Sequence, residues 1–303
     1  MTQRRTAAGE GILLILAAEF LFTSATVFTK YATNHSHMSG VQVTFFQFCL
    51  GFIVTAFFVR RDSLSIRPNN VRLVIQRGVF NTLAVVLFFA GVRYTTVTNA
   101  NMLNMTYPAF VFLLAPFING ERSPKAYYIF LAGAMAGVYL VAFPDFSSVN
   151  VGDLLSLASG VMAGFGITTL RQAAKYDSTH VILFYLMAIG TALNAVMMIP
   201  VFTVHGSALV WSAVGASAAV GYAGQLLLTK GYKHISAAGG SLVSSSRVIW
   251  AMLMGTIIFG DRITPRIAAG SVCIIVSLVM LSGVFDRYFR KIRRKLTPQD
   301  WGD

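Results

Sequence analysis

Charge is what this chain has least of. Asp, Glu, Lys and Arg together make up 12% of its 303 residues, about half the share found in soluble proteins. A surface facing water cannot be built from so few. Hydrophobic residues reach 55%. A soluble chain of one or two domains is excluded, and an integral membrane protein remains. Cysteine is nearly absent. Cys49 and Cys273 both lie inside apolar runs, which argues against a disulfide framework or a thiolate metal cluster. His35, His37, His180, His205 and His234 fall in gaps or at the ends of runs, without metal-binding spacing. There is no His-Glu-x-x-His, no Gly-x-Ser-x-Gly and no phosphate-binding loop with Gly-Lys-Ser/Thr. A multispan enzyme therefore lacks its nucleophile or metal, and ATP-driven transport by this chain alone lacks a nucleotide site. No pore-lining ring or selectivity filter is evident. No cofactor is expected.

Long apolar runs are what the chain does have. A membrane crossing needs about 20 apolar residues, and ten runs qualify: 9–31, 39–60, 71–93, 97–118, 124–143, 151–172, 179–202, 207–230, 236–259 and 264–285. In lipid each run must satisfy its own backbone hydrogen bonds, so helices are expected; the alternation of a membrane barrel is absent. The net charge of +13 does not point to nucleic acid, because the basic residues sit in the gaps between runs. Lys30, Arg93, Arg262 and Arg266 lie on one side and Arg247 lies within a run; the rest of the 24 Lys and Arg lie on the other side. That bias predicts cytoplasmic termini. Arg4 and Arg5 before the first run resemble a signal peptide, but nine more runs follow, so an uncleaved first span is expected. The basic tail 286–303 is read mainly as topological, with anionic headgroups as a further contact.

The chain also repeats itself. Gly91, Arg93, Thr96, Gly120, Glu121 and Arg122 map, 140 residues on, to Gly231, Lys233, Ser236, Gly260, Asp261 and Arg262. Gly11, Ala17 and Lys30 map to Gly152, Ala158 and Arg171 at an offset of 141. Two units follow, 9–143 and 151–285. Each has five spans, an odd number, so the second enters the membrane from the opposite face. Such inverted pairs are a recurring plan for secondary transporters, and alternating access follows if each half can adopt the other's conformation.

This repeat, the Gly-Glu-Arg and Gly-Asp-Arg turns after the fourth and ninth spans, and Pro108 in the fourth resemble the EamA-type family of the drug/metabolite transporter superfamily. The resemblance covers nearly the whole chain. It implies an all-α membrane protein of ten helices, a central cavity between the halves, and transport of small organic solutes such as amino acids and related metabolites. One position departs: the repeat partner of Pro108 is Val248, so the ninth span is expected to lack the bend.

Ionisable residues deep in a span point to function. Glu19 lies mid-way along the first span, with Thr23, Thr26 and Lys30 on its face. It is a candidate for a coupling proton or a substrate amine; a structural ion pair is the alternative. Arg247 lies mid-way along the ninth, on a face with Gly240 and Ser244. Arg247 can hold a carboxylate bidentately or pair permanently with Glu19. The repeat matches Ser241 to Asn101, Ser244 to Asn104 and Arg247 to Tyr107, directing both helices at one cavity. Asn81, Tyr222, Gln225 and Trp250 are weaker cavity candidates, as is Phe45. Arg77 is expected to snorkel to the membrane surface. Glu121 and Asp261 read as helix caps or loop fasteners, and Gly133-x-x-x-Gly137 and Gly160-x-x-x-Gly164 as close helix crossings. The expected partners are a small-molecule substrate, the lipid bilayer and a coupling proton, in the bacterial inner membrane. The leading reading is a secondary transporter of a small polar or zwitterionic metabolite, amino acids or derivatives first. An exporter of flat or amphipathic compounds is second; a membrane enzyme or scaffold is third.

Overall fold

The computed structural model describes residues 2–95, 97–143, 150–203, 206–260 and 263–281, the side chains of 2–7, 97, 98 and 259 excepted. The basic tail, Asp261, Arg262 and Thr96 lie outside the described residues. Twelve α-helices, one 3₁₀ turn and no strand are found among them: α1 (Thr2–Asn34), α2 (Gly40–Arg61), α3 (Val71–Val92), α4 (Val97–Asn104), α5 (Tyr107–Ile118), α6 (Lys125–Ala142), α7 (Val151–Ala173), α8 (Thr179–Met198), α9 (Ala208–Gly231), α10 (Ala237–Ser244), α11 (Arg247–Phe259) and α12 (Pro265–Leu281). The fourth span is α4 plus α5 and the ninth is α10 plus α11, so the ten expected spans are all present.

The helices begin where the sequence supplies caps. Side chains of Ser39, Asn70, Ser178, Ser207 and Ser236 each accept a backbone N–H of the helix they precede, and Asn150 with Asp153 makes a reciprocal capping box. Eight spans are by themselves long and apolar enough to cross a membrane. The 17 residues of α12 are apolar but fewer. The 24 residues of α9 are rich in Ala, Gly and Ser; these small side chains let it lie close along α1.

The fourth and ninth spans break at matching positions, 105–106 and 245–246. Pro108 explains the first, since it has no N–H to continue the ladder. The second breaks without proline, contrary to the expectation drawn from Val248. There the ladder tightens: Ser245 N–H bonds to Leu242 O and Ser246 N–H to Val243 O, each three residues back, at 3.0 Å. Val248 N–H then bonds to Ser245 O at 3.2 Å. The break falls on the run Ser244–Ser246, whose hydroxyls make no contact with the backbone that would account for it.

Contacts between the halves are two-fold related. The first span packs on the eighth (α1 on α9) and, equivalently, the third on the sixth (α3 on α7); α2 packs on α8 and α6 on α12. Glycines set the closest approaches. A Cβ placed on Gly11 would lie 3.1 Å from the Gly231 carbonyl oxygen, and one on Gly152 would lie 2.6 Å from that of Gly91. These are the residues that the repeat aligns. Gly137 against Gly270 O and Gly160 against Leu103 O are crossings of the same kind.

The two-fold fails in one respect. Let the near face be the end where α1 begins. There α5 packs on α10. At the far face their counterparts, α4 and α11, make at most a marginal contact among the described residues. Between the fourth and ninth spans the halves meet more at the near face than at the far one; elsewhere they also touch at the far face, where Gly152 lies against Gly91.

Candidate functional site

At the centre of the protein, α1 buries Glu19 to 1% exposure. The break before α11 brings Arg247 to the first position of that helix. Its Nε donates to Glu19 Oε2 at 2.6 Å, and its guanidinium lies over the Phe22 ring, 5.0 Å from the centroid. A cation at a helix N-terminus opposes the helix dipole; the carboxylate offsets both charges. The pair is lopsided. The arginine side chain keeps 34% exposure while the carboxylate has almost none. Thr23 and Thr26, on the face of Glu19, are spent on their own helix, donating to Glu19 O and Phe22 O. Lys30 lies exposed at the far end of α1.

Two buried phenols, Tyr107 of α5 and Tyr232 after α9, lie within electrostatic reach of the pair. Ser244 Oγ is near both, yet makes no well-formed hydrogen bond, and the hydroxyls of Tyr232, Ser245 and Ser246 are also buried without partners. Buried polar groups normally find partners. Four hydroxyls without a well-formed protein partner thus lie around the ion pair. Trp250 packs edge-on to Phe20 at 5.2 Å, its indole N–H unpartnered. Glu19, Tyr107, Ser244 and Arg247 are therefore brought together.

The other candidates are placed elsewhere. Ser241 is buried but donates to Ala238 O at 2.9 Å. Asn101 lies on an exposed face of α4. The Asn104 amide donates to Ser159 of α7. Tyr222 accepts from Thr55 at 3.0 Å, and Phe45 packs on Phe46. Gln225 meets Arg77, whose Nη2 lies 3.5 Å from Oε1. Arg77 does not snorkel. It is 1% exposed, enclosed by α7 and α9, with Asn81 one turn further along α3 beside Gly166. Sequence reasoning missed Tyr232, because a tyrosine at the end of a span reads as an interfacial anchor.

A second cluster locks the near face. Glu121 Oε1 accepts from Arg171 Nε at 2.8 Å, and Oε2 accepts from the N–H of Ala237, the first residue of α10. Arg171 Nη1 also donates to the carbonyls of Tyr232 and Lys233 at 2.8 and 3.0 Å. Lys175 Nζ donates to Asn119 O and lies 3.7 Å from Glu121. The ammonium of Lys233 is held below its ordinary value by burial and by neighbouring Lys230. Glu121 caps a helix, as expected, but the helix belongs to the other repeat. One carboxylate thus ties the α5–α6 turn to the ends of α7 and α9 and the start of α10.

Residues 9–143 and 150–283 both match the EamA-like transporter family. The chain belongs to that family. It is a multi-pass membrane transporter. It is 26% identical over 273 residues to the pseudopaline exporter CntI of Pseudomonas aeruginosa, covering 90% of this chain and 95% of that protein. Solute carrier family 35 member G1 of Mus musculus is 21% identical over 89% of this chain and 77% of its own length. A solved crystal structure shares this chain's fold with a TM-score of 0.77 at 18% identity, covering 92% of this chain and 98% of that one. Among the described residues no group of three or more His, Cys, Asp or Glu is arranged to hold a metal ion.

Proposed function

We propose that this EamA-like transporter carries a small polar or zwitterionic metabolite, an amino acid or derivative first, across the bacterial inner membrane by alternating access. The observation that carries the reading is the buried Glu19–Arg247 pair surrounded by unpartnered hydroxyls. The carboxylate is the exchangeable partner. A proton, or the amine of a substrate, competes with Arg247 for Glu19 and releases the guanidinium into the space it already faces. Alternating access is supported by the broken two-fold. With cytoplasmic termini, the near face is cytoplasmic and the state is closed inward.

The test is uptake and counterflow in proteoliposomes, over amino acids, nucleosides and organic cations, with and without an imposed proton gradient. Saturable counterflow of an amino acid or derivative, accelerated by the gradient, is expected. Glu19→Gln is expected to erase the acceleration. No flux of any member by folded protein, or a gradient response that survives Glu19→Gln, counts against the reading.

The lock gives its own prediction. Place a cysteine at Ser241 in a background without Cys49 and Cys273, and label from the near face with a membrane-impermeant reagent. Glu121→Gln weakens the contact with Arg171 and is expected to raise the labelling rate several-fold. An unchanged rate would mean that the cluster does not hold that face shut.

A second reading has one observation in its favour. A cavity of about 540 Å³ lies in the far half between α1, α9 and α11, lined by Phe28, Tyr31, Ala213, Ala216 and Met254 among others. An apolar, aromatic-edged space suits a flat or amphipathic compound. A relative from Brucella anthropi, 22% identical over 185 residues, covering 60% of this chain and 65% of its own length, is a riboflavin transporter. Inhibition of flux by uncharged planar competitors, with charged ones inert, would favour this reading.

A further inference from the structure

Arg77 is the largest fully buried side chain among the described residues. A guanidinium keeps its charge in any protein and carries five N–H donors. Here Nε has no partner. The hydrogen bond to Gln225 spans 3.5 Å, the outer limit for such a contact, and Gln225 brings no charge. The ion pairs among the described residues are Arg61–Asp62, Arg171–Glu121, Lys175–Glu121 and Arg247–Glu19. None involves Arg77.

Among the described residues no ion pair gives Arg77 a carboxylate partner. Glu19 is taken by Arg247. Asp153 is taken by Thr95 and the Asn150 cap, and Asp177 by the N–H groups of Asn69 and Asn70. A buried cation without a counter-charge is costly. The fold nonetheless makes room for this one: a Cβ on Gly166 of α7 would come within 3.1 Å of Arg77 Nη1. The hydroxyl of Tyr232, buried and unpartnered, is within electrostatic reach of Arg77 and of Glu19.

We propose that Arg77, with Tyr232 and Gln225, is the station for a carboxylate on the transported solute. This rests on the transporter reading above and specifies its substrate: an organic acid or zwitterion whose anionic end meets Arg77. An amine, where present, meets Glu19. Arg247 was the sequence's candidate for the carboxylate, but in this state it is paired with Glu19, whereas Arg77 has no ionic partner among the described residues. A planar carboxylate fits the guanidinium fork, and the Tyr232 hydroxyl adds a third donor. Tyr232 also ties the station to the lock, because its carbonyl accepts from Arg171. Opening the near face shifts the residue whose hydroxyl serves the anion.

The experiment is counterflow of a transported amino acid by wild-type protein. The competitors are the carboxylate, its carboxamide and its methyl ester; chloride is varied separately. The carboxylate is expected to compete about 10- to 100-fold better than either neutral form. Arg77→Gln should erase that preference, and Arg77→Lys should keep part of it. Equal competition by the carboxamide overturns the proposal whether or not the variants fold. So does flux of a solute without an anionic group that is indifferent to Arg77→Gln, although that leaves the transporter reading standing. Stabilisation by chloride alone, with no carboxylate preference, would assign the cation to an inorganic anion and overturn the proposal equally. No flux of any solute defeats the transporter reading, and this one with it.

Discussion

Arg247→Ala is expected to destabilise the protein far more than Glu19→Gln, although each removes one half of the same 2.6 Å contact. The reason is the difference in exposure. Without Arg247, a carboxylate at 1% exposure has no counter-charge. Stranding a buried charge in this way costs about 3–5 kcal/mol, unless the group takes up a proton. Without the charge on Glu19, the guanidinium is already a third exposed and can turn towards water. Glutamine also retains an acceptor for Nε. That loss should be about 1–2 kcal/mol. Thermal melting of purified protein in one detergent decides the matter. The double change Glu19→Gln with Arg247→Met removes both charges and should recover most of the loss. Equal effects of the two single changes would show that the pair is not organised around a buried carboxylate.

Gly152→Leu is expected to prevent folding, and Gly152→Ala to cost about 1–3 kcal/mol through overpacking. The Cβ of even alanine would lie 2.6 Å from Gly91 O, 2.7 Å from Thr95 N and 2.8 Å from Tyr94 C. All three are backbone atoms, so no side chain can rotate out of the way; α3 and α7 must separate. Gly215 is the control. A Cβ there meets nothing within 4 Å, and Gly215→Ala in the middle of α9 should stabilise by about 0.5–1 kcal/mol. The comparison of melting temperatures is internal, since both sites are helical glycines in one protein. A Gly152→Ala variant as stable as Gly215→Ala would mean that the crossing is looser than described.

Much of this was legible from composition, repeat and spacing. Ten apolar runs became ten spans. The aligned glycines Gly91, Gly152 and Gly231 proved to be contact points. Glu19 and Arg247 stood out because charge within lipid is rare. Periodicity, however, tells which residues share a face and not which helix that face meets. The break at Ser245–Ser246 was missed because no proline announces it. Arg77 looked interfacial by its distance from the start of α3; α7 and α9, supplied by the other repeat, close over it. Asn104 was aligned with Ser244, but its amide is drawn to Ser159 of α7. The placements of Arg77 and Asn104 depend on partners 148 and 55 residues away, beyond the reach of any local pattern.

The glycine crossings carry a consequence for motion. Side chains that interdigitate act as teeth: two toothed helices must disengage before either can turn. At Gly11 on Gly231 and Gly91 on Gly152, backbone faces backbone across the two equivalent helix pairs that join the halves. Few teeth mesh at those points, Ile15 on Gly231 and Ser156 on Gly91 being the side chains that lie closest. A small roll of one helix on the other changes the separation of a carbon and a carbonyl oxygen and resets only those side chains. Each such crossing is a smooth bearing, and the two lie at opposite faces, one beside the lock and one beside the opening.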